Sequence, residues 1–280
     1  MLFLEVFALV SPSEGRHTGS ELMRILVTFA VEAEFAPWRK RHDFRPFEIM
    51  QGAEAHLATI SGVEVIVGLT GIGPEAALRK TCDFTWGEVL DLCITTGFAG
   101  ALRSEYRVSD VLAAREIVAD EKRAKSLGFR IRSSPRLLTI AASCGATVVD
   151  RFYSSPSTIQ TARDKAALKD IADAVEMESF AVLSEALAWM AEGIAVRAIS
   201  DTADEDLPLD FDQVVTEEGE LSMARLAGQI VRKPSAIPAL IRLGKRSSEA
   251  AKRLADFLDT FVAALAGKPV AVVSGEASAT

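Results

Sequence analysis

Residues 174–179 read Ala-Val-Glu-Met-Glu-Ser, and residues 196–204 read Val-Arg-Ala-Ile-Ser-Asp-Thr-Ala-Asp. The segment between them has the length of one helix followed by one short apolar run. This layout predicts helix, loop and strand, with Asp201 just past the end of the strand. In open α/β sheets that edge is where ligands bind, and a pair of carboxylates in one crevice is a usual arrangement for acid–base chemistry on a sugar. The two stretches therefore indicate both a fold class and the place of a functional site.

The composition is that of a globular protein, and it argues against two classes of partner. The chain has 280 residues, 49% of them hydrophobic and 25% charged, with a net charge of −8 and a pI near 5.1. An acidic chain without a long basic run is poorly suited to a phosphate backbone, so we expect no nucleic acid partner. No stretch reaches the length of a membrane-spanning helix.

Cysteine and histidine usage predicts neither a metal site nor a disulfide framework. The cysteines lie far apart without Cys-x-x-Cys spacing, and the histidines are not at ligand spacing from one another: Cys82, Cys93, Cys144, His17, His42 and His56. We therefore expect no metal and no organic cofactor, and a reducing cytoplasm as the compartment.

Four regions are predicted along the chain. Residues 1–22 form an N-terminal extension, because Met23 opens a convincing first strand and the apolar residues 1–10 lack the basic start of an export signal. Residues 23–213 form the main domain, and residues 214–266 form a helical extension packed on it. Residues 267–280 are mostly small and are expected to be a disordered tail. Translation from Met1 and from Met23 both remain open.

Strands and helices alternate along the main domain. Residues 24–30 are typical of a buried strand and residues 32–41 of the helix after it. Two β-rich runs, 56–60 and 63–69, flank a Ser-Gly turn and predict a hairpin. The predicted fold class is α/β, a three-layer αβα arrangement with a central mixed, mostly parallel sheet.

Five short motifs follow one another along the chain. They are Ala-Val-Glu-Ala-Glu at 30–34, Thr-Gly-Ile-Gly at 70–73, Thr-Gly-Phe-Ala-Gly at 96–100, Val-Glu-Met-Glu at 175–178 and Arg-Ala-Ile-Ser-Asp-Thr-Ala-Asp at 197–204. In this order and at these intervals they resemble the nucleoside phosphorylase superfamily, and within it the chain is most similar to 5′-methylthioadenosine/S-adenosylhomocysteine nucleosidases. The resemblance implies a small-molecule purine nucleoside as the partner and a homodimer whose neighbouring subunit closes the 5′ side of the site.

The resemblance also implies a role for each site residue. Asp201 would be the general acid that protonates N7 of the purine, Glu34 would orient and deprotonate the attacking water, and Glu178 would hold the ribose hydroxyls. This agrees with the chemistry, because breaking an N-glycosidic bond builds positive charge on the sugar and negative charge on the base. The other implied substrate contacts are Met177 against the sugar, Phe152 stacked on adenine, Arg197 within the last strand, Tyr153, Phe98, Gly100 and Ile72.

Each of these residues also has a purely structural interpretation. Asp201 could cap a helix after its strand, and Glu178 at a helix start would favour the helix dipole without any ligand. Glu34 has Glu32 close by, so the catalytic position could be shifted by two residues. Phe152 on an apolar strand is more often part of a core than a stacking platform.

Departures from the family pattern leave the exact reaction open. The nucleosidases usually carry serine where this chain has Phe98. The first loop has neither Gly nor Arg to bind phosphate, which favours water as the nucleophile over phosphorolysis. Residues 232–240 resemble the tail of hopanoid-associated phosphorylase-like enzymes, which act on another adenosyl compound. A non-catalytic nucleoside-binding protein of the same fold is the alternative of another class.

Overall fold

The computed structural model describes residues 22–49, 53–86, 88–119 and 130–267. Residues 1–21 of the predicted extension 1–22, and residues 268–280 of the predicted tail 267–280, lie outside the described residues. The strands are β1 Arg24–Phe29, β2 Arg45–Ile49, β3 Ala53–Ile60, β4 Val63–Leu69, β5 Leu92–Thr95, β6 Phe98–Ala101, β7 Val111–Ala119, β8 Arg130–Arg132, β9 Thr147–Ser154, β10 Ala174–Glu176 and β11 Glu192–Asp201. The α-helices are α1 Glu32–Arg39, α2 Pro74–Thr85, α3 Pro135–Ser143, α4 Ala162–Leu168, α5 Ser179–Ala188, α6 Met223–Arg232 and α7 Ile237–Leu265.

The strands form one mixed sheet in the order β2-β3-β4-β1-β5-β11-β6-β10-β9-β7-β8. Strands β4, β1, β5 and β11 are mutually parallel, whereas β2, β3 and β4 form an antiparallel meander that includes the predicted hairpin. Strand β11 also pairs antiparallel with β7, so the sheet curls back on itself at this end. A mixed α/β sheet was expected from the sequence, and the structure has one.

The pleat of the central strands separates two apolar layers. In β1, Ile25 and Val27 face a cluster formed with α1, α3 and α7, whereas Leu26 faces a cluster formed with α2 and α5. Alternating faces follow from the period of two in a strand, and all three side chains are fully buried. Full burial of each such side chain contributes about 1.5–3 kcal/mol of hydrophobic free energy. The helices on both faces give the predicted three-layer arrangement.

The C-terminal helix α7 is part of the core. Its second half buries Leu254, Leu258 and Phe261 in the same cluster as Phe35 and Trp38 of α1. Polar contacts fix the same pair of helices, because Asp259 accepts hydrogen bonds from Trp38 Nε1 at 2.7 Å and from Arg41 Nη1 at 2.9 Å. The region 214–266 therefore packs on the main domain through α7. Helix α6, by contrast, has no buried residue along its length.

Several local boundaries differ from the sequence expectations. The amphipathic pattern over residues 159–171 predicts a helix of that length, but the helix is confined to Ala162–Leu168. Thr161 caps it by accepting from Asp164 N at 3.1 Å. The basic sequence of residues 120–134 predicts a loop, but its end contains β8, where Glu116 to Val118 pair with Arg130 to Arg132. These short elements depend on long-range pairing and capping, which a local pattern does not display.

The parallel strands bring their carboxyl ends to one edge of the sheet. Strand β1 leads into Glu34, β4 into the loop 70–73, β5 into Gly97, and β11 ends at Asp201. Because neighbouring parallel strands end on the same side, these four segments lie together. This edge carries the candidate site.

Candidate active site

Glu34 lies in the first turn of α1 and faces inward. Its Oε2 accepts the backbone N–H groups of Ala30 at 2.8 Å and Val31 at 3.2 Å, and its Oε1 accepts that of Phe98 at 2.8 Å. The side chain is buried, whereas Glu32 is half-exposed and pairs with Arg39 at 2.7 Å. The structure thus selects Glu34 over Glu32 as the acid directed into the site. Its bond to Val31 is also a helix-capping contact.

Two glycines of the 96–100 motif make room for the carboxylates. A Cβ on Gly97 would lie 2.7 Å from Glu34 Oε1, and the backbone there has a φ of +138°, which side chains rarely adopt. A Cβ on Gly100 would lie 2.9 Å from Asp201 Oδ2. Glycine is therefore needed at both positions, because Glu34 and Asp201 come close to the backbone there.

Arg197 of β11 is the buried cation of the site. Its Nη2 donates to Glu176 Oε2 at 2.6 Å and to Ser179 Oγ at 2.9 Å, and it lies 3.6 Å from Glu178 Oε2. Glu178 also accepts the backbone N–H of Gly73 at 2.9 Å, which joins the 70–73 loop to the 175–178 motif. Nε and Nη1 of Arg197 are buried without a hydrogen-bond partner among the described residues.

Burial dominates the protonation behaviour of these acids. It raises the pKa of Glu34, against the Arg197 charge and the three backbone N–H groups that favour the carboxylate. It raises the pKa of Glu178 to about 7, where Arg197 opposes the shift and the like charge of Glu176 adds to it. Near neutral pH the site can therefore hold Glu178 in either form.

Asp201 lies at the end of β11, opposite Gly100 of β6. Its Oδ2 accepts from Lys165 Nζ at 2.5 Å, and its Oδ1 accepts from Ser200 Oγ at 2.7 Å. Lys165 comes from α4 and is fully buried. Asp201 therefore does not cap a helix, since both of its oxygens are used by side-chain donors.

Of the other predicted substrate contacts, three lie beside the acids and Tyr153 lies apart from them. Met177, Phe98 and Ile72 are partly exposed and lie beside the acids, since Phe98 N donates to Glu34, and a Cβ on Gly73, next to Ile72, would lie 3.8 Å from Met177 Cε. Tyr153 is partly buried against a small apolar cluster beyond β10.

Phe152 is not brought to the site surface. Its ring is 0% exposed and belongs to the cluster inside the curl of the sheet. Neighbouring residues of a strand face opposite sides, which accounts for the different positions of Phe152 and Tyr153. In this conformation the Phe152 ring has no surface to offer a base, so the stacking role implied for it is unsupported.

Two residues that contact the predicted site residues were not singled out from the sequence. Glu176, between the motif residues, is the direct partner of Arg197, and it also accepts from Glu178 N at 3.0 Å and Ser179 N at 2.7 Å. Lys165 is the partner of Asp201. The sequence does hold one signal for burial of Lys165. It lies three positions from both Ala162 and Leu168, so it shares a helix face with these apolar residues.

A separate cavity of about 610 Å³ opens beside the loop that follows Asp201. None of the predicted site residues lines it, and its charged lining consists of Arg103, Glu105, Lys169, Asp170 and Asp204. Among the described residues no group of three or more His, Cys, Asp or Glu side chains is placed to hold a metal ion. Those residues also include no helix of the length and hydropathy needed to span a membrane.

Comparison with known proteins agrees with this geometry. The family model described as "Phosphorylase superfamily" matches residues 24–232. The chain belongs to the phosphorylase superfamily. The predicted family resemblance and fold class are thereby confirmed, and the matched region of this superfamily includes all the site residues named above.

Individual members of the superfamily share between 20% and 25% sequence identity with this chain. A 5′-methylthioadenosine/S-adenosylhomocysteine nucleosidase of Geobacillus thermodenitrificans is 25% identical over 213 residues, 68% of this chain and 89% of the relative. The S-adenosylhomocysteine nucleosidase structure of Streptococcus pyogenes, in complex with 5-methylthiotubericidin, covers 88% of this chain and 99% of its own, with 20% identity and a TM-score of 0.68. The futalosine hydrolase structure of Helicobacter pylori covers 85% and 98%, with 21% identity and a TM-score of 0.62. At this level of identity, the two solved structures show that the fold is shared.

Proposed function

We propose that the protein is an enzyme that hydrolyses the N-glycosidic bond of adenine nucleosides bearing a 5′ thio or similar substituent, releasing adenine and a ribose derivative. The observation that carries the proposal is the arrangement of three buried acids, Glu34, Glu178 and Asp201, around strands β6 and β11 and the Arg197 guanidinium. The nucleosidase named among the relatives supports the same class of reaction.

The acids match the charges that develop as the bond breaks. The sugar becomes cationic, so carboxylates at Glu178 and Glu34 stabilise it, while the purine gains electron density and takes a proton on the Asp201 side. Glu178 accepts ribose hydroxyls in its ionised form. Glu34 accepts the proton of the attacking water, and burial, which raises the pKa of Glu34, makes it a stronger base.

Water is favoured over phosphate as the nucleophile. The N–H groups of Ala30, Val31 and Phe98 donate to the Glu34 carboxylate and are not available to a phosphate. A second anion beside Glu34, Glu176 and Glu178 would also be repelled.

A homodimer in the cytoplasm, acting in methionine salvage, is the second part of the proposal. Helices α2 and α5 pack together and expose Leu78, Trp86, Trp189 and Met190, the last at 91%. The two indole rings lie 6.2 Å apart in an edge-to-face arrangement. Neighbouring exposed apolar side chains are typical of an interaction surface. Light scattering of the purified protein should give twice the chain mass, and Trp189→Glu with Met190→Glu should give the monomer.

The decisive test is release of free adenine from methylthioadenosine, S-adenosylhomocysteine and adenosine, each with and without phosphate. Futalosine belongs in the panel because a structurally similar protein is described as a futalosine hydrolase. We expect phosphate-independent release that Asp201→Asn and Glu34→Gln reduce by at least about 100-fold. Glu32→Gln is the matched control and should retain activity. Release that requires phosphate would identify a phosphorylase. If no compound releases its base, the protein would instead be a binding protein.

A further inference from the structure

Lys165 is a fully buried lysine whose three ammonium hydrogens all have acceptors. Nζ lies 2.5 Å from Asp201 Oδ2, 2.8 Å from the carbonyl oxygen of Thr202 and 3.0 Å from that of Glu205. The ammonium form of Lys165 can donate one hydrogen to each of these three oxygens. The lysine can therefore bring a proton to the end of β11, where Asp201 is the side-chain acceptor.

Asp201 is placed to exchange a proton with Lys165. One of its oxygens lies at hydrogen-bond distance from Lys165 Nζ, and the other accepts from Ser200 Oγ at 2.7 Å. Whether the proton lies on the amine or on the carboxyl, the pair holds one proton that either group can pass to the other. Lys165 is thus the group from which the Asp201 carboxylate can take a proton.

We propose that Lys165 supplies, through Asp201, the proton that the purine leaving group takes up; this inference rests on the proposed nucleosidase function. As the bond between the sugar and the base breaks, its electron pair moves to the purine. A proton passes from Lys165 Nζ to the Asp201 carboxylate, and a proton passes from Asp201 to N7. The step leaves a neutral amine, a carboxylate and neutral adenine. Glu34 holds the proton that the attacking water loses. Once the products leave, Glu34 gives this proton to solvent and Lys165 takes one from solvent, which restores the starting state.

Other charges around the pair support a cation at this position. Glu205, whose carbonyl oxygen accepts from Lys165, has its carboxylate paired with Arg246 of α7 at 2.5 Å. Asp204 lies in the same loop, and Asp206 accepts the backbone N–H of Ala162 at the start of α4. Lys165 itself contacts two backbone carbonyl oxygens on the loop side and Asp201 on the strand side. Burial of an ammonium is tolerated when it is paired in this way.

The experiment compares the native enzyme with Lys165→Met, Lys165→Arg and the exposed control Lys169→Met from the end of the same helix. The kcat and KM for the adenine nucleoside that the native enzyme cleaves are measured between pH 5 and pH 9. Lys165→Met should lower kcat at pH 8 by about 100-fold, with KM changed less than about threefold. Its kcat should rise about tenfold per unit as the pH falls, because Asp201 must then take its proton from solvent. Lys169→Met should match the native enzyme.

Lys165→Arg separates proton supply from charge. A guanidinium keeps the positive charge and the donors but does not release its proton. We expect a folded variant, by circular dichroism and melting temperature, with kcat still reduced by at least about 30-fold. Native kcat in the Arg variant, or a pH-independent kcat in the Met variant, would show that Lys165 only orients Asp201 and would overturn the proposal.

A substrate with a leaving group that needs no proton gives an independent readout. On 4-nitrophenyl β-D-ribofuranoside, Lys165→Met should keep its rate within about threefold of native, whereas Glu34→Gln should lose it. Equal loss on both substrates would again contradict proton supply. A native enzyme that cleaves no nucleoside at all would instead refute the proposed function, so the two failures are distinguishable.

Discussion

The charge of Arg197 stabilises the fold as well as the site. Its side chain is 1% exposed, its Nη2 contacts Glu176 at 2.6 Å, and the Glu176 side chain is 0% exposed. Glu178, 3.6 Å away, is 10% exposed. Replacing Arg197 by Met leaves these carboxylates buried beside an apolar side chain. Removing one partner of a buried ion pair costs about 3–5 kcal/mol, because the desolvation of the other partner is no longer compensated.

The assay for Arg197→Met is urea unfolding at pH 7.5 followed by circular dichroism, with the free energy extrapolated to water. Arg136→Met is the matched control, since Arg136 forms an ion pair with Glu192 at 50% and 43% exposure. That exposed pair should contribute about 0–1 kcal/mol. A double variant, Arg197→Met with Glu176→Met, should recover much of the loss, because an apolar pair can replace a buried ion pair. A loss below about 1 kcal/mol for Arg197→Met would refute the assignment of a buried, stabilising cation.

Two further predictions concern Glu178 and Gly97. Since burial raises the pKa of Glu178 to about 7, substrate KM should rise about tenfold per unit below pH 7, where the acceptor is protonated, and Glu178→Gln should lose this dependence. For folding, the contribution of this raised pKa is fully present below about pH 4.5 and is lost as the pH rises to about 7, so the urea midpoint of Glu178→Gln should fall less than native across that window. Gly97→Ala should lower kcat at least about 100-fold and stability by about 1–3 kcal/mol through the clash with Glu34 and the positive φ. Its control, Gly228→Ala on the exposed helix α6, meets no atom within 4 Å and should gain up to about 1 kcal/mol.

Much of the fold and the acids of the site could be predicted from the sequence, for identifiable reasons. Apolar runs such as Ile25 to Phe29 predict buried strands because the pattern is local. Glu34, Glu178 and Asp201 lie at or shortly after the ends of β1, β10 and β11, and parallel strands collect such residues at one edge. The choice between Glu34 and Glu32 could not be made, since it depends on backbone donors from Phe98, 64 residues away.

The hydrogen-bond partners of those acids could not be predicted either, because they come from distant parts of the sequence. Lys165 and Asp201 are 36 residues apart, and the helix that carries Lys165 is only seven residues long. A lysine in such a segment is usually solvent-exposed, and its burial follows from packing against the loop after β11. Phe152 shows the same limit, because the family resemblance implies a base-stacking role, whereas the pleat of β9 turns the ring into the core.

The C-terminal helix connects these observations to the reaction. Arg246 of α7 holds the Glu205 carboxylate, and the Glu205 carbonyl oxygen accepts one hydrogen of Lys165. The position of the proton on Lys165 therefore depends on a loop that α7 holds from outside the sheet. Because the far end of α7 is anchored by Leu258 and Phe261 in the core, the helix gives that loop a rigid support. Under the proposed proton supply, the long C-terminal helix has a consequence at Asp201, since it holds the loop whose carbonyl oxygen accepts from Lys165.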